Sequence, residues 1–413
     1  MTDTTPESSS RFHPNIYFLA VVSLLTDVSS EMLNNVLPLF LVNVLGARTV
    51  VVGLIDGIAE TTASLVKIYS GSLSDRLGRR KSLAVLGYGL STIAKPILYF
   101  ASSWGWVLSV RIADRFGKGI RTAPRDALIA DSVGPSRRGR AFGLHRAGDT
   151  AGAFLGLAIA TLIIWLSQSG SAGLTRSTFQ TIVLASIIPA VLAVLILSIF
   201  VKDVASPKPK SASQVRTTGW KGLDYRFRRF LFVVVLFTLG NSSDSFIILR
   251  GQERGLSILQ IMGMLLTFNA VYSLLSSPLG TLSDRLGRRN LILVGWFIYG
   301  LIYLGLAVSR SGIAIWALFG FYGVFYALTE GSAKALVADL VASEQRGTAY
   351  GFFNAAIGLT ALPASLIAGI LWQGLWGWTG LGPSAPFFFG AGMALLAGLL
   401  FKFWVPQQPA VGI

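Results

Sequence analysis

The 413-residue sequence contains no cysteine and only two histidines, and charged residues make up just 13% of the chain. Soluble globular proteins carry about 25% charged residues. The absence of cysteine excludes disulfide bonds, thiolate metal sites and cysteine nucleophiles. Because hydrophobic residues reach 53% and the mean hydropathy is +0.63, the composition excludes a disordered chain, a fibrous protein and an ordinary soluble enzyme. It predicts an all-α polytopic membrane protein.

Twelve apolar stretches are each long enough for a helix of about 20 residues that crosses a bilayer. They run over 15–37, 50–70, 83–101, 104–131, 141–166, 179–201, 230–249, 257–279, 290–309, 312–338, 348–372 and 383–405. The longest polar run separates the sixth stretch from the seventh and contains several serines, prolines and lysines. We therefore expect an N-terminal six-helix bundle over 1–201, a linker over 202–229 and a C-terminal six-helix bundle over 230–413.

Basic residues are distributed unevenly between the two sets of connections. Twenty-one Lys and Arg residues lie at the two ends of the chain, in the linker and in the even-numbered connections, whereas the other connections carry five. The excess of basic residues on one side predicts that both termini are cytoplasmic and that the protein lies in the cell membrane, the inner one in a two-membrane cell. The net charge of +16 then faces anionic membrane lipid, and no nucleic-acid partner is expected.

An internal repeat relates the two halves. Residues 71–81 read GSLSDRLGRRK and residues 280–290 read GTLSDRLGRRN. The segment ALIAD over 127–131 likewise corresponds to ALVAD over 335–339. The same motifs at corresponding places in both halves predict a duplicated six-helix unit.

These motifs make the chain resemble the major facilitator superfamily, whose signature loop is GxLxDRxGRR. The resemblance implies twelve transmembrane helices in two pseudo-symmetric bundles, transport by alternating access, no cofactor and a monomer. It also implies that Asp75, Arg79 and Asp131 form a charge relay that locks one arrangement of the halves. The gating residues expected from the two copies are Gly71, Asp75, Arg76, Gly78, Arg79, Asp131, Gly280, Asp284, Arg285, Gly287, Arg288 and Asp339.

Charged residues within the predicted spans are concentrated in the first half, which has fifteen against three in the second when Asp131 and Lys402, at the ends of their spans, are left aside. Each charge at the bilayer centre costs about 2.5–3.5 kcal/mol on insertion scales, so such residues are expected to be paired or functional. A charge that occurs in only one of two duplicated halves is the better candidate for function.

Acidic residues in three spans are candidates for proton and substrate binding. Asp27 and Glu31 are one helical turn apart in span one, and two carboxylates so close in a low dielectric repel each other. The sequence Ser-Ser-Glu around Glu31 aligns with Ser-Ser-Asp around Asp244 in span seven, which predicts an acid from each half on one central cavity. In span two, Glu60 lies deeper than Asp56 and is the stronger candidate.

Spans four and five supply basic candidates. Arg111 and Arg115 belong to a polar stripe at helical spacing, and by resemblance to proton-coupled members Arg111 matches the arginine of the span-four motif. Alternatively the stripe binds an anionic group of the substrate, because guanidinium pairs with carboxylate or phosphate through two hydrogen bonds. In span five, His145, Arg146 and Asp149 could relay a proton, since imidazole titrates near neutral pH.

The expected function is proton-coupled transport of a small solute, with efflux of a cationic or amphiphilic compound as the leading version. An organic anion on the span-four arginines and a divalent metal ion on the carboxylates of spans one and two remain alternatives. Span five departs from the family's antiporter motif, because Leu157 stands where that motif has proline, so the direction of transport stays open. No HExxH, GxSxG or phosphate-binding loop suggests an enzyme.

Overall fold

The computed structural model describes residues 12–77, 80–134, 137–168, 173–204, 222–342 and 345–405, without the side chains at 72, 75–77, 139, 281 and 283–285. Over these residues the chain is helical, with twelve long helices joined by short connections. The helices are α1 Pro14–Asn34, α2 Thr49–Leu77, α3 Arg80–Ile97, α4 Trp104–Asp131, α5 Arg138–Gln168, α6 Arg176–Phe200, α7 Tyr225–Gly240, α8 Ile258–Leu286, α9 Arg288–Val308, α10 Gly312–Asp339, α11 Arg346–Gln373 and α12 Ala385–Trp404.

Eleven helical segments within the described residues are long and apolar enough to cross a membrane. The remaining long helix is α4, which has 28 residues and the same bounds as the predicted span 104–131. It contains eight charged residues, which lower its mean hydropathy although its length suffices for a crossing. The prediction of twelve helices in two similar sets of six is therefore confirmed.

The first helix of each half is interrupted, which the sequence analysis did not predict. After α1 the chain continues through a single turn, Leu37–Leu39, and a π-helical turn, Phe40–Val44. After α7 it unwinds and resumes as the short helix Ser245–Glu253. Pro38 removes a backbone donor in the first case, and the Asn-Ser-Ser-Asp sequence competes for backbone hydrogen bonds in the second.

The start of each half is held against its end by hydrogen bonds. Asn15 of α1 donates to the Lys202 carbonyl at 2.8 Å, and Arg229 of α7 donates to the Trp404 carbonyl at 3.1 Å. Since each half contains six crossing helices, both ends of the described chain lie on one side. We call this side, which also carries the two signature loops, the motif end, and the opposite side the far end.

Glycines allow helices within and between the halves to approach closely. Side chains added at Gly148, Gly152 and Gly156 of α5 would overlap backbone carbonyls of α1. Between the halves, α2 packs on α11 in the same way, because a Cβ at Gly53 would overlap the Ser365 carbonyl. Small residues at such interfaces are the usual device for packing helices in membranes, where backbone contact replaces hydrophobic burial as the driving force.

Candidate functional site

The far end is closed where the two halves meet. Gly53 of α2 lies against α11, and Gly369 of α11 lies against the backbone of Val50 in α2. Arg48, just before α2, donates hydrogen bonds to the Gln373 carbonyl at 2.8 Å and to the Gly374 carbonyl at 3.2 Å. These contacts leave no room between α2 and α11 for a passage along this seam.

A polar cavity of about 400 Å³ lies between the halves, beyond this closed seam. Glu60 is half exposed within it and Lys118 is also exposed, so the cavity is accessible to water. Residues from α1, α2, α4 and the unwound segment and short helix that follow α7 form most of its wall, with contributions from α10 and α11. The lining residues are Glu31, Asn34, Asn35, Asp56, Glu60, Arg111, Arg115, Lys118, Asn241, Ser242, Ser243, Asp244, Ser245, Ile248, Tyr326, Ala361 and Ser365.

Two arginines of α4 form one wall of the cavity. Arg111 and Arg115 are almost fully buried, and both donate to the Asn34 side-chain oxygen, at 2.6 Å and 3.3 Å. Arg115 also pairs with Glu60 at 3.3 Å and approaches Asp114 at 3.7 Å. The predicted Arg111 and Arg115 stripe therefore faces the cavity, with Asn34 as a neutral acceptor between the two guanidinium groups.

Acidic residues form the opposite wall. Asp56 of α2 accepts hydrogen bonds from Ser243 at 2.6 Å and Ser245 at 2.5 Å, so it joins the first half to the unwound segment of the second. Asp244 accepts a hydrogen bond from the Tyr322 hydroxyl at 3.2 Å. Glu31 lies between the two walls, because Asn34, which accepts from both arginines, donates to it at 3.3 Å, and Asn35 donates to it at 3.0 Å. These three carboxylates thus have neutral donors as their hydrogen-bond partners in the described chain.

The remaining candidates lie between the cavity and the motif end. Asp149 accepts a hydrogen bond from Ser23 and lies 3.8 Å from His145 Nδ1. Neither ring nitrogen of the buried His145 has a hydrogen-bond partner in the described chain. Asp27 lies within electrostatic range of Asp149 and Glu31, which places it between this group and the cavity.

Arg146 bridges the two halves on this side of the cavity. It donates to the Tyr272 hydroxyl at 3.1 Å and to Glu330 at 3.4 Å. Glu330 also accepts from Tyr272 and from Lys334. Because the side chains of Arg146 and Lys334 are more than half exposed, the bridge is accessible to solvent.

Each repeated motif forms an ion pair at the motif end, although the two arginines are one position apart when the motif copies are aligned. Arg80 contacts Asp131 in the first half, and Arg288 contacts Asp339 in the second. Each arginine also donates to the carbonyl four residues before its aspartate, at 3.1 Å in both halves. Arg80 was not among the predicted gating residues. Gly78 and Arg79 lie outside the described residues, as do the side chains of Asp75, Arg76, Asp284 and Arg285.

Sequence reasoning identified five cavity residues and missed several of their partners. The five are Glu31, Glu60, Arg111, Arg115 and Asp244, whereas Asp27, His145, Arg146 and Asp149 lie towards the motif end. Lys118 was visible as part of the α4 stripe, but Asn34 and Tyr326 carry no signal in a single sequence. Lys95, buried against Ser29 and Ser30 at 2.7 Å and 3.1 Å, could have been found only as an unexplained charge in an apolar span.

The carboxylates of spans one and two are not arranged as a metal site. Across the described part of the chain, no three His, Asp or Glu residues lie close enough together to hold a metal ion. Glu60 is instead paired with Arg115, and Asp56 with two serine hydroxyls. Hard cations require several oxygen ligands at 2.0–2.6 Å, and this arrangement does not supply them.

Comparisons with known proteins agree with the fold. A family model described as Major Facilitator Superfamily matches residues 19–266 and 230–412. An uncharacterised MFS-type transporter of Methanocaldococcus jannaschii is 36% identical over 96% of both chains. A multi-drug resistance efflux pump of Streptococcus pneumoniae is 23% identical over 75% of this chain and 76% of its own. Among solved structures, the nucleoside transporter NupG superposes with a TM-score of 0.77 at 13% identity, covering 94% of this chain and 99% of that one.

Proposed function

Since the chain belongs to the major facilitator superfamily of multi-pass membrane transporters, we propose that it is a proton-coupled secondary transporter that works by alternating access. Its substrate is a small solute, and the proposed direction is efflux of a cationic or amphiphilic compound. The two moving units are residues 1–201 and 230–413, joined by the linker 202–229. Rocking of two such units around a central site is the mechanism that inverted and duplicated repeats permit.

The basic residues favour a cytoplasmic motif end. With both termini, the linker and the signature loops on the cytoplasmic side, the closed α2–α11 seam faces outwards and the cavity is accessible from the cytoplasm. The ion pairs Arg80–Asp131 and Arg288–Asp339 are then the cytoplasmic locks of the two halves. For an efflux transporter this is the state that receives substrate from the cell.

The observation that carries the proposal is the position of one acid from each half on the same cavity. Glu31 and Asp244 both line it, and the hydrogen-bond donors to both are neutral side chains. A partly buried carboxylate whose hydrogen-bond donors are all neutral gains stability by binding either a proton or a cationic group of a ligand. A site that binds one or the other, but not both, couples proton entry to solute exit.

A second candidate function is transport of an organic anion. It is favoured by the convergence of Arg111 and Arg115 on the single acceptor Asn34, which leaves both guanidinium groups with unused donors. Guanidinium groups with spare donors are the usual partners of carboxylate and phosphate. The divalent-metal alternative is not proposed, because the carboxylates are held by other side chains.

The test is a transport assay with purified protein in vesicles that contain a pH-sensitive dye. A gradient that is acidic inside should drive uptake of tetraphenylphosphonium or ethidium into vesicles whose proteins lie inside out, and dye alkalinisation should accompany it. Glu31→Gln and Asp244→Asn should lower the rate by at least about tenfold, whereas Asp203→Asn, an exposed aspartate outside the cavity, should not. Uptake of a cation without proton movement would refute the coupling, and proton-linked uptake of anions alone would select the second candidate.

A further inference from the structure

The arginine wall of the cavity has unused hydrogen-bonding capacity. The Nε atoms of Arg111 and Arg115 are buried and have no hydrogen-bond partner among the described residues. Lys118, one turn further along α4, is exposed in the cavity and has no carboxylate within 4.0 Å in the described chain. Glu60 and Asp114 neutralise part of this wall, but they are two acids against three bases.

The acidic wall, formed by Asp56 and Asp244, has the opposite imbalance, because its carboxylates lack basic partners. Asp56 is bound by two serine hydroxyls, and Asp244 by the Tyr322 hydroxyl. Neither has a basic group within 4.0 Å among the described residues. Buried carboxylates normally lie next to a cation, because removal of a charge from water is costly unless it is paired.

The two walls do not neutralise each other directly. Arg111 and Asp56 are within electrostatic range, and so are Asp56 and Asp244, yet no ion pair of 4.0 Å or less joins them in the described chain. The cavity of about 400 Å³ separates them. This volume is in the range of pockets that enclose small organic ligands.

We infer that the cavity binds a small zwitterionic solute, with its anionic group on Arg111 and Lys118 and its amino group on Asp244 and Asp56. The inference rests on the proposed transport function and replaces its cationic substrate class by a zwitterionic one. A ligand with a single positive charge would face the three basic residues of α4, and a ligand with a single negative charge would face the carboxylates. A zwitterion satisfies both walls at once, which is the electrostatic complementarity that gives binding its specificity.

Aromatic residues beside Asp244 favour an amino group on that wall. Tyr326 lines the cavity, and its ring meets that of Tyr322 edge to face with centroids 5.1 Å apart. An ammonium group next to an aromatic face is attracted by the ring quadrupole. The arginine wall has no aromatic residue among the lining side chains, so the two ends of the cavity differ in chemistry as well as in charge.

The experiment compares ligands that differ only in charge. Three ω-amino acids, 4-aminobutanoate, 6-aminohexanoate and 8-aminooctanoate, span a range of charge separations. Each is paired with its amide, which keeps only the ammonium, and its N-acetyl derivative, which keeps only the carboxylate. Affinity for the purified full-length protein is read from thermal stabilisation in detergent, since a ligand that binds the folded state raises the melting temperature.

Variants then assign each wall to its group. In wild type, at least one zwitterion should bind at least about tenfold more tightly than both of its singly charged relatives. In Lys118→Gln, the affinity for this zwitterion should fall close to the affinity for its amide. In Asp244→Asn, it should fall close to the affinity for its N-acetyl derivative. Lys118 is exposed, so its variant is expected to fold, and Arg140→Gln, an exposed charge of α5 outside the cavity, serves as the matched control.

Three results would overturn the inference. They are equal binding of a zwitterion and one of its singly charged relatives, binding of singly charged compounds alone, and no stabilisation by any member of the three sets. The proposed function is tested separately by proton movement in vesicles. If the amide binds best and exchanges with protons, the proposal of proton-coupled transport holds and the zwitterion inference fails. If a zwitterion binds best but moves without protons, the zwitterion inference holds and the proposed proton coupling fails.

Discussion

The two halves share a fold, but equivalent positions in α3–α4 and α9–α10 hold opposite kinds of residue. The bounds of α4 and α10 differ by 208 positions at both ends, as do Arg80 and Arg288. With that offset, charged residues of the first half correspond to aromatic residues of the second. The pairs are Lys95 with Tyr303, Arg111 with Phe319, Asp114 with Tyr322 and Lys118 with Tyr326.

This substitution shows how one scaffold can build two different walls. In the second half, Tyr299, Tyr303 and Tyr322 are fully buried and pack ring against ring, with Tyr299 and Tyr303 stacked at 4.0 Å. All three fill space, and two of them donate hydrogen bonds, Tyr322 to Asp244 and Tyr299 to the Gly240 carbonyl. In the first half, the positions equivalent to Tyr303 and Tyr322 carry Lys95 and Asp114, charges that need counter-charges or ligands. We expect the first half to depend on charge balance and the second on packing.

The largest expected effect comes from the matched positions Asp114 and Tyr322. Asp114→Asn removes a carboxylate that lies within 4.0 Å of both Arg111 and Arg115, and loss of one partner from a buried ionic group should lower the free energy of unfolding by about 3 kcal/mol. Tyr322→Phe removes only a hydroxyl donor and should cost about 1 kcal/mol. Chemical denaturation in detergent measures both, and equal losses would show that the two halves do not differ in this way.

The next effect concerns the closed seam between α2 and α11. Gly53→Ala places a Cβ against the Ser365 carbonyl, and overpacking of this kind costs about 1–3 kcal/mol. That cost should shift the population towards a state open at the far end. Gly89→Ala, whose Cβ would meet open space, is the control.

Distances between spin labels can measure this shift, because the chain has no cysteine of its own. Labels on cysteines introduced at the exposed positions Asn43 and Trp376 report the separation of the halves at the far end. Gly53→Ala should broaden the distribution towards longer distances, and Gly89→Ala should leave it unchanged. An unchanged distribution in both would show that the seam does not hold the far end closed.

The smallest effect is expected at the bridge from Arg146 to Tyr272 and Glu330. Exposed ion pairs contribute about 0.2–1 kcal/mol, so Arg146→Gln should raise accessibility at the motif end by at most about fivefold. Lys67→Cys, exposed on α2 within electrostatic range of Lys334 across the exit, provides the site for a polar thiol reagent. If the cysteine introduced at position 67 reacts no faster in the Arg146→Gln variant than in the Arg140→Gln variant, the bridge has no gating role.

Much of the fold follows from sequence because two simple patterns determine it. The lengths of the apolar stretches predict the spans, and the predicted span 104–131 agrees with α4 at both ends. The internal repeat predicts the two sets of six helices. The breaks after α1 and α7 were not predicted, because average hydropathy is insensitive to where a helix unwinds. Pro38 after α1 and the Asn-Ser-Ser-Asp sequence at 241–244 after α7 were the local signals.

The sequence predicts which charged residues belong to the site, but not which residues they pair with. A single sequence shows that Arg115, Glu60 and Asp56 are embedded charges, yet it cannot show that Arg115 takes Glu60 while Asp56 takes serines of the other half. Contacts between halves depend on how the units are docked, which no local pattern encodes. The signature loop gave a similar difficulty, because two adjacent arginines, Arg79 and Arg80, lie where α3 begins, and the sequence does not show that Arg80 contacts Asp131.

The central claim is that cavity acids are shared between protons and solute, and proton release on binding tests it most directly. Titration calorimetry of the tightest-binding amine in two buffers of different ionisation enthalpy gives the number of protons released per ligand, by linkage. Wild type should release close to one proton near the pH at which the acids are protonated, and Glu31→Gln and Asp244→Asn should each release clearly less. Binding in wild type with no proton released at any pH between about 5 and 8 would contradict the account.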